Sequence, residues 1–288
     1  MTLRQVERSR RLVRGAWGLV LLCMPMVSAL ADPAQDQVRR VAPDSAMLQV
    51  GEELEYSVSY LFFNLGTVRI QVIDRFERDG RTVYRAKAFM DSNPSLSWLI
   101  SLHAVFTSEF DEKIFSYRFI ADEEQSEGIF ERKFAFDYDR GWVVIQRGMR
   151  QRDEVLVPER TDTVKVTDKC QDGLSLFFYA REHVLQERED TVATFVENEQ
   201  VSTFIRFTND RTPTEIDSVR YPMMSSSFSG RADFVGVAGL TGGFRGWFSS
   251  DSGRVPLLAR MNVVLGSVKV ELIRWKRPGW VPPPMEAR

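Results

Sequence analysis

Metal binding, nucleophilic attack and acid–base catalysis each need particular side chains at particular spacings. The only histidines are His103 and His183, eighty residues apart, and the only cysteines are Cys23 and Cys170. No H-x-x-x-H or C-x-x-C pattern occurs, so no transition-metal ligand set is legible. Asp137-Tyr-Asp139-Arg-Gly141 reads as a tight turn and lacks the further ligands of a calcium loop. No G-x-S-x-G elbow or S-x-x-K pair presents an activated serine, and Ser225–Gly230 reads as a loop or a strand edge. A dispersed Ser–His–Asp site can still draw on either histidine. His183 follows Glu182 in a helical stretch, which reads as a packed or surface position. Glu123, Glu124 and Glu127 are carboxylates of the kind that hydrolyse glycosides, but an acidic run reads first as a solvated face. Gly236, Gly239, Gly242 and Gly243 do not match the spacing of a phosphate-cradling loop and follow no βαβ pattern. The chemistry-bearing residues therefore imply no cofactor and no metal, and they assign no catalytic group.

What remains is apolar. Aromatic residues make up 11% of the chain, with 20 Phe, 7 Tyr and 6 Trp. Tyr60, Phe63, Trp98, Phe177, Tyr179 and Trp247 form a candidate ligand-binding set, with Phe62, Phe106 and Phe244 as further lining. A concave sheet lined by such rings suits a lipid or another apolar ligand. The alternative is that the same rings are ordinary core.

The elements that must position these rings are mostly strands. Leu54, Tyr56, Val58, Tyr60 and Phe62 alternate with polar residues, as do Val68, Ile70 and Val72. The spacing predicts a hairpin turning at Phe63–Gly66. Asp79-Gly80 is a second hairpin turn, followed by a strand over 82–90. Ser92-Asn93-Pro94 breaks the sheet, and 95–102 around Trp98 reads as a helical turn. Further strands are expected at 104–110, 115–121, 129–138, 142–147, 153–157, 191–197, 201–208, 217–221, 232–238 and 244–249. A long alternating pair covers 255–265 and 268–272, turning at Gly266-Ser267. One helix interrupts them. Asp172 is a good N-cap, and the apolar spacing continues to about Gln186 on more than one face, which marks a buried helix. The fold class is mainly β: a large antiparallel sheet, curved and barrel-like or a two-sheet sandwich, with one buried helix near 172–186.

Residues 1–31 read as a signal peptide: five arginines, an apolar run over 16–27, then an Ala29-Leu-Ala31 cleavage site. The run is too short to span a bilayer comfortably. Ser9-Arg10-Arg11 partly matches a twin-arginine signal. Cys23 follows Leu22 rather than a small residue, which argues against a lipid anchor. Residues 32–47 read as a flexible lead-in, 48–277 as one β-rich domain, and 278–288 as a proline-rich tail. Removing residues 1–31 takes away five arginines and one glutamate, which moves the formal charge from −2 to −6. That balance argues against a nucleic-acid partner. Cys170 is then the only cysteine and reads as a packed thiol. The expectation is an exported protein, periplasmic or associated with the outer envelope, with no transmembrane span in the mature chain.

Gly51-Glu-Glu-Leu-Glu-Tyr-Ser-Val-Ser-Tyr60 with Leu65-Gly66-Thr67 resembles the opening of the DUF3108 family of exported bacterial proteins. The stretches Asp172–Arg181, Gly246–Asp251, Val255-Pro256 and Gly266–Leu272 resemble it too. Asp172-Gly173 departs from the Asp-Pro that the family pattern suggests. The family is one of unknown function, so the resemblance implies a fold and an exported location but no catalytic residues. The leading functional expectation is non-catalytic binding of a hydrophobic or amphipathic ligand. The alternatives are a module that docks another envelope protein through a sheet edge, and an enzyme acting on envelope glycans or lipids.

Overall fold

The structure is a computed structural model that describes residues 39–40, 47–98, 101–232, 242–263 and 266–285. The signal peptide and Cys23 lie outside the described residues, as do Gly236 and Gly239. Among the described residues, fifteen strands and one α-helix make up the fold. The first strands are β1 (Arg39–Arg40), β2 (Glu53–Tyr60), β3 (Phe63–Arg78), β4 (Arg81–Ser92), β5 (His103–Asp111) and β6 (Ser116–Gln125). Then come β7 (Gly128–Asp137), β8 (Trp142–Arg150), β9 (Arg160–Lys165) and helix α1 (Gly173–His183). The second group is β10 (Arg188–Val196), β11 (Glu199–Thr214), β12 (Met223–Ala232), β13 (Gly242–Ser249), β14 (Pro256–Val263) and β15 (Gly266–Lys276).

All strands belong to one antiparallel sheet. Two meanders, β2 to β9 and β10 to β15, join where β15 pairs with β2, placing Val270 opposite Val58. The sheet's outer strands are therefore β9 and β10, neighbours in sequence on either side of α1. Alternation explains the faces. Leu54, Tyr56, Val72, Ala86, Ala88 and Leu272 share one buried face. On β10 both faces are covered. Val192 packs with Ile205, Phe207, the helix residue Ala180 and the C-cap residue Val184. Phe195 on the other face meets Phe134 and Phe136 of β7, with ring centroids 6.1 and 5.7 Å away. The sheet thus overlaps itself like a rolled leaf, and a parallel bridge between Gln171 and Thr194 stitches the seam. This geometry combines features of both expected architectures, barrel and sandwich.

Several local expectations are corrected. The first hairpin turns at Leu61-Phe62, and Asn64 to Gly66 lie within β3. The register shift there needs Gly66 at φ 154°, where an added Cβ would lie 2.1 Å from the Asp91 carbonyl oxygen. Residues 153–157 are a loop in which Leu156 alone is buried; Val155 and Val157 are exposed. The strand comes later, as the polar edge strand β9. Residues 217–221 form turns that lie against β15. There the Asp217 amide donates to Glu271 Oε1 at 2.8 Å and Ser218 Oγ donates to the Leu272 carbonyl at 2.8 Å. Ser225–Gly230 is the middle of β12, a strand buried on both faces through Phe228. Of the expected strand over 232–238, only Ala232 is described. Ser95–Trp98 begins with a short 3-10 turn at Pro94–Leu96. The proline-rich segment returns to the fold: Trp280 Nε1 donates to Asp251 Oδ2 at 2.7 Å, and Met223 bridges to Pro284.

Candidate functional site

Strand direction alternates, so the connections fall at two ends of the rolled sheet. At the end holding the 79–80, 112–115, 215–222 and 250–255 connections, α1 closes the interior. Asp172 caps the helix through the Leu174 and Ser175 amides, each 2.8 Å from Oδ1. Its other oxygen accepts from Ser108 Oγ at 2.5 Å and Ser116 Oγ at 2.7 Å, which fastens the helix to β5 and β6. Burial still holds the Asp172 carboxyl above the usual carboxylate range. Phe178 stacks into the core 5.1 Å from Phe110. One turn on, Arg181 is fully buried. It donates to both oxygens of Glu52, at 2.5 and 2.9 Å, and to the Gly253 carbonyl at 2.8 Å. Arg277 donates to the same carboxylate. This latch joins the start of β2, the helix, the β13–β14 loop and the residue after β15.

The opposite end carries the 61–62, 93–102, 126–127, 151–159 and 197–198 connections and has no helix across it among the described residues. Leu61, Phe62, Phe63 and Trp98 stand exposed there, at 74%, 83%, 50% and 79%. The two loops that bear them are tied together. Asn93 Nδ2 donates to the Asn64 carbonyl at 2.9 Å, and the Asn93 amide donates to the Leu65 carbonyl at 2.8 Å. Neither 57–68 nor 92–102 contains a charged residue. Leu61 sits at φ 53°, a backbone region that a bulky residue rarely adopts. On the inner face just below the rim lie Tyr60, Val68, Met90, Ala104 and Phe106, all apolar and mostly half-buried.

The structure divides the candidate ligand-binding residues into three groups. Tyr60, Phe63 and Trp98 gather at the open end, Phe63 and Trp98 on the rim and Tyr60 on the strand below it. Phe177 and Tyr179 ride on α1. Phe177 is edge-on to Phe178 at 5.2 Å, and the Tyr179 hydroxyl donates to Asp190 at 2.9 Å. Trp247 is on the outer face, because Phe244 and Phe248, its neighbours in alternation, pack inward with Phe228. It lines a depression there with Arg245, whose guanidinium lies 5.0 Å from the indole. Reasoning from ring positions alone misses Leu61, the charge-free loops and the arginines beside Trp247. The first two have a signal in the uncharged stretches 57–68 and 92–102.

The two histidines and the cysteine stand apart from one another. His103 Nδ1 is 3.0 Å from Asp91 Oδ1 on the surface. His183 packs edge-on to Tyr179, and burial together with Arg188 holds its imidazole below the ordinary range. Among the described residues, no serine, threonine or cysteine side chain bonds to either histidine. Cys170 is buried, and burial pushes its thiol up to about 12, far from a reactive thiolate. Among the described residues no three His, Cys, Asp or Glu side chains converge on a point that could hold a metal. No helix among them is long and apolar enough to cross a membrane.

A family model described as a protein of unknown function, DUF3108, matches residues 55–273. No curated protein matches the chain. Among solved structures the chain is similar to a β-barrel-like protein of the DUF1849 domain of unknown function from Brucella abortus. The two are 9% identical with a TM-score of 0.47, and the match covers 79% of this chain and 97% of that one. The family match spans most of the rolled sheet, from β2 through α1 to β15, and the chain belongs to the DUF3108 family.

Proposed function

We propose that this is an exported envelope protein that binds a lipid-like, amphipathic ligand at the open end of its rolled sheet, without turning it over. The observation that carries the reading is the contrast between the two ends. One is shut by α1 and the Glu52–Arg181–Arg277 latch. The other presents Leu61, Phe62, Phe63 and Trp98 to solvent on two linked loops free of charge. Exposed apolar clusters on a folded domain mark binding surfaces, and each large ring taken out of water contributes about 1.5–3 kcal/mol. The strained turn at Leu61 supports the same reading, since local rules are broken where function demands it.

The test is native mass spectrometry on the exported, purified protein, followed by solvent extraction of whatever is bound. A defined adduct that extracts as lipid is expected. The rim variant carrying Phe62→Ser and Trp98→Ser should lose most of it while keeping the wild-type circular dichroism. A clean apo mass from the wild type, or an adduct held equally by the rim variant, overturns the proposal.

A further inference from the structure

The outer face of the second meander carries cations in register. Arg206 lies opposite Ser229, Ser229 opposite Arg245, Arg245 opposite Arg260, and Arg260 opposite Lys269. Four basic residues thus fall in one line across five strands. The outer two have partners: Arg206 meets Glu189 at 3.2 Å, and Lys269 meets Glu271. The central two have no carboxylate within ion-pair distance among the described residues. Like charges directly opposite each other weaken a sheet, so the Arg245–Arg260 pair is not explained by stability.

The same two arginines line an open depression of about 640 Å³. Gly243 presents no side chain to its floor, and Ser229, Asn262 and Ser267 complete its polar wall. Among the described residues, no carboxylate lines it. The set is two guanidinium groups, a carboxamide, two hydroxyls and the rings of Phe244 and Trp247.

We infer that this depression is an oxyanion site, built for a phosphate or sulfate group, with Arg245 and Arg260 as the paired counter-charges. Guanidinium forks match such oxygens bidentately. Asn262 and Ser229 supply further donors, and Trp247 offers an apolar wall to whatever carries the anion. The site is on the outer face of the second meander, and it is tested by different residues from those of the apolar rim.

The oxyanion can be free or part of a lipid headgroup, and two probes separate these sources. Inorganic phosphate is titrated calorimetrically into the full protein. Co-sedimentation then compares phosphatidylcholine vesicles with vesicles that also contain phosphatidylglycerol. Both are repeated with R245Q/R260Q and with R140Q/R152Q, a charge-matched control on exposed arginines elsewhere. All four arginines are exposed, so folding should persist; the single R260Q variant serves if the double variant fails to fold. Phosphate binding weakened about tenfold or more in R245Q/R260Q, and kept in the control, supports an oxyanion site for small anions. Arginine-dependent binding of only the phosphatidylglycerol vesicles supports the same site with a headgroup as its source. Binding of neither probe, or equal loss in the charge-matched control, overturns the inference.

Discussion

Glu52 ties together more distant parts of the chain than its size suggests. It is buried between two guanidinium groups that come from positions 129 and 225 residues away. Removing its charge leaves Arg181 and Arg277 buried side by side with less compensation. Breaking a buried pair of this kind costs about 3–5 kcal/mol. Glu52→Gln should therefore lower the stability measured by urea unfolding by that amount, and a loss below about 1 kcal/mol would show that the latch is not structural. None of the three residues announces itself in the sequence, because the latch exists only after residues far apart in the chain meet. Asp172 is the contrast. Its role as an N-cap depends on amides two and three positions on, and local chemistry of that kind is legible in the sequence itself.

At the scale of elements, legibility follows how a strand is buried. Strands with one wet face, such as β2, β4 and β14, alternate plainly and are legible in the sequence. The polar strand β12 is not. Its Ser225, Ser226 and Ser227 are buried, with Ser225 Oγ 2.6 Å from Thr214 Oγ1, so hydroxyl pairs stand in for the expected apolar residues. Edge strand β9, five of whose six residues are threonine or charged, hides for a related reason. The rim is only partly legible. Its rings stand out in the sequence, but which of them share an end depends on the direction of every strand between them. Helix α1 yields a pH prediction. His183 near its C-terminal end is held below the ordinary imidazole value of 6.5, chiefly by burial and then by Arg188. The unfolded chain therefore binds this proton at a higher pH than the native one. Its contribution is fully present above pH 6.5 and is lost as pH falls toward the native value. His183→Gln should remove that step. The difference in urea midpoint between wild type and variant should change between pH 7.5 and about 5; a constant difference refutes the linkage.

For the whole molecule, the decisive feature is that the first long strand pairs with the last. A chain ended at Lys276 keeps every strand but loses Arg277, Trp280 and the contacts of Pro282 and Pro284. Arg277 and Trp280 bind Glu52 and Asp251, and the Tyr221 hydroxyl donates to the Pro282 carbonyl at 2.8 Å. Such a truncation should lower stability by about 3 kcal/mol or more, or prevent folding, as read by circular dichroism and urea unfolding. A truncated chain as stable as the full one would show that the segment after β15 is dispensable. The same pairing sets a timetable on the ribosome. When β2 is made, the strand that will cover its free edge is still roughly 200 residues from synthesis. Until β15 arrives, the nascent meander presents a bare row of amides and carbonyls to any other extended chain. Any extended segment that pairs with β2 in that interval takes the place reserved for β15.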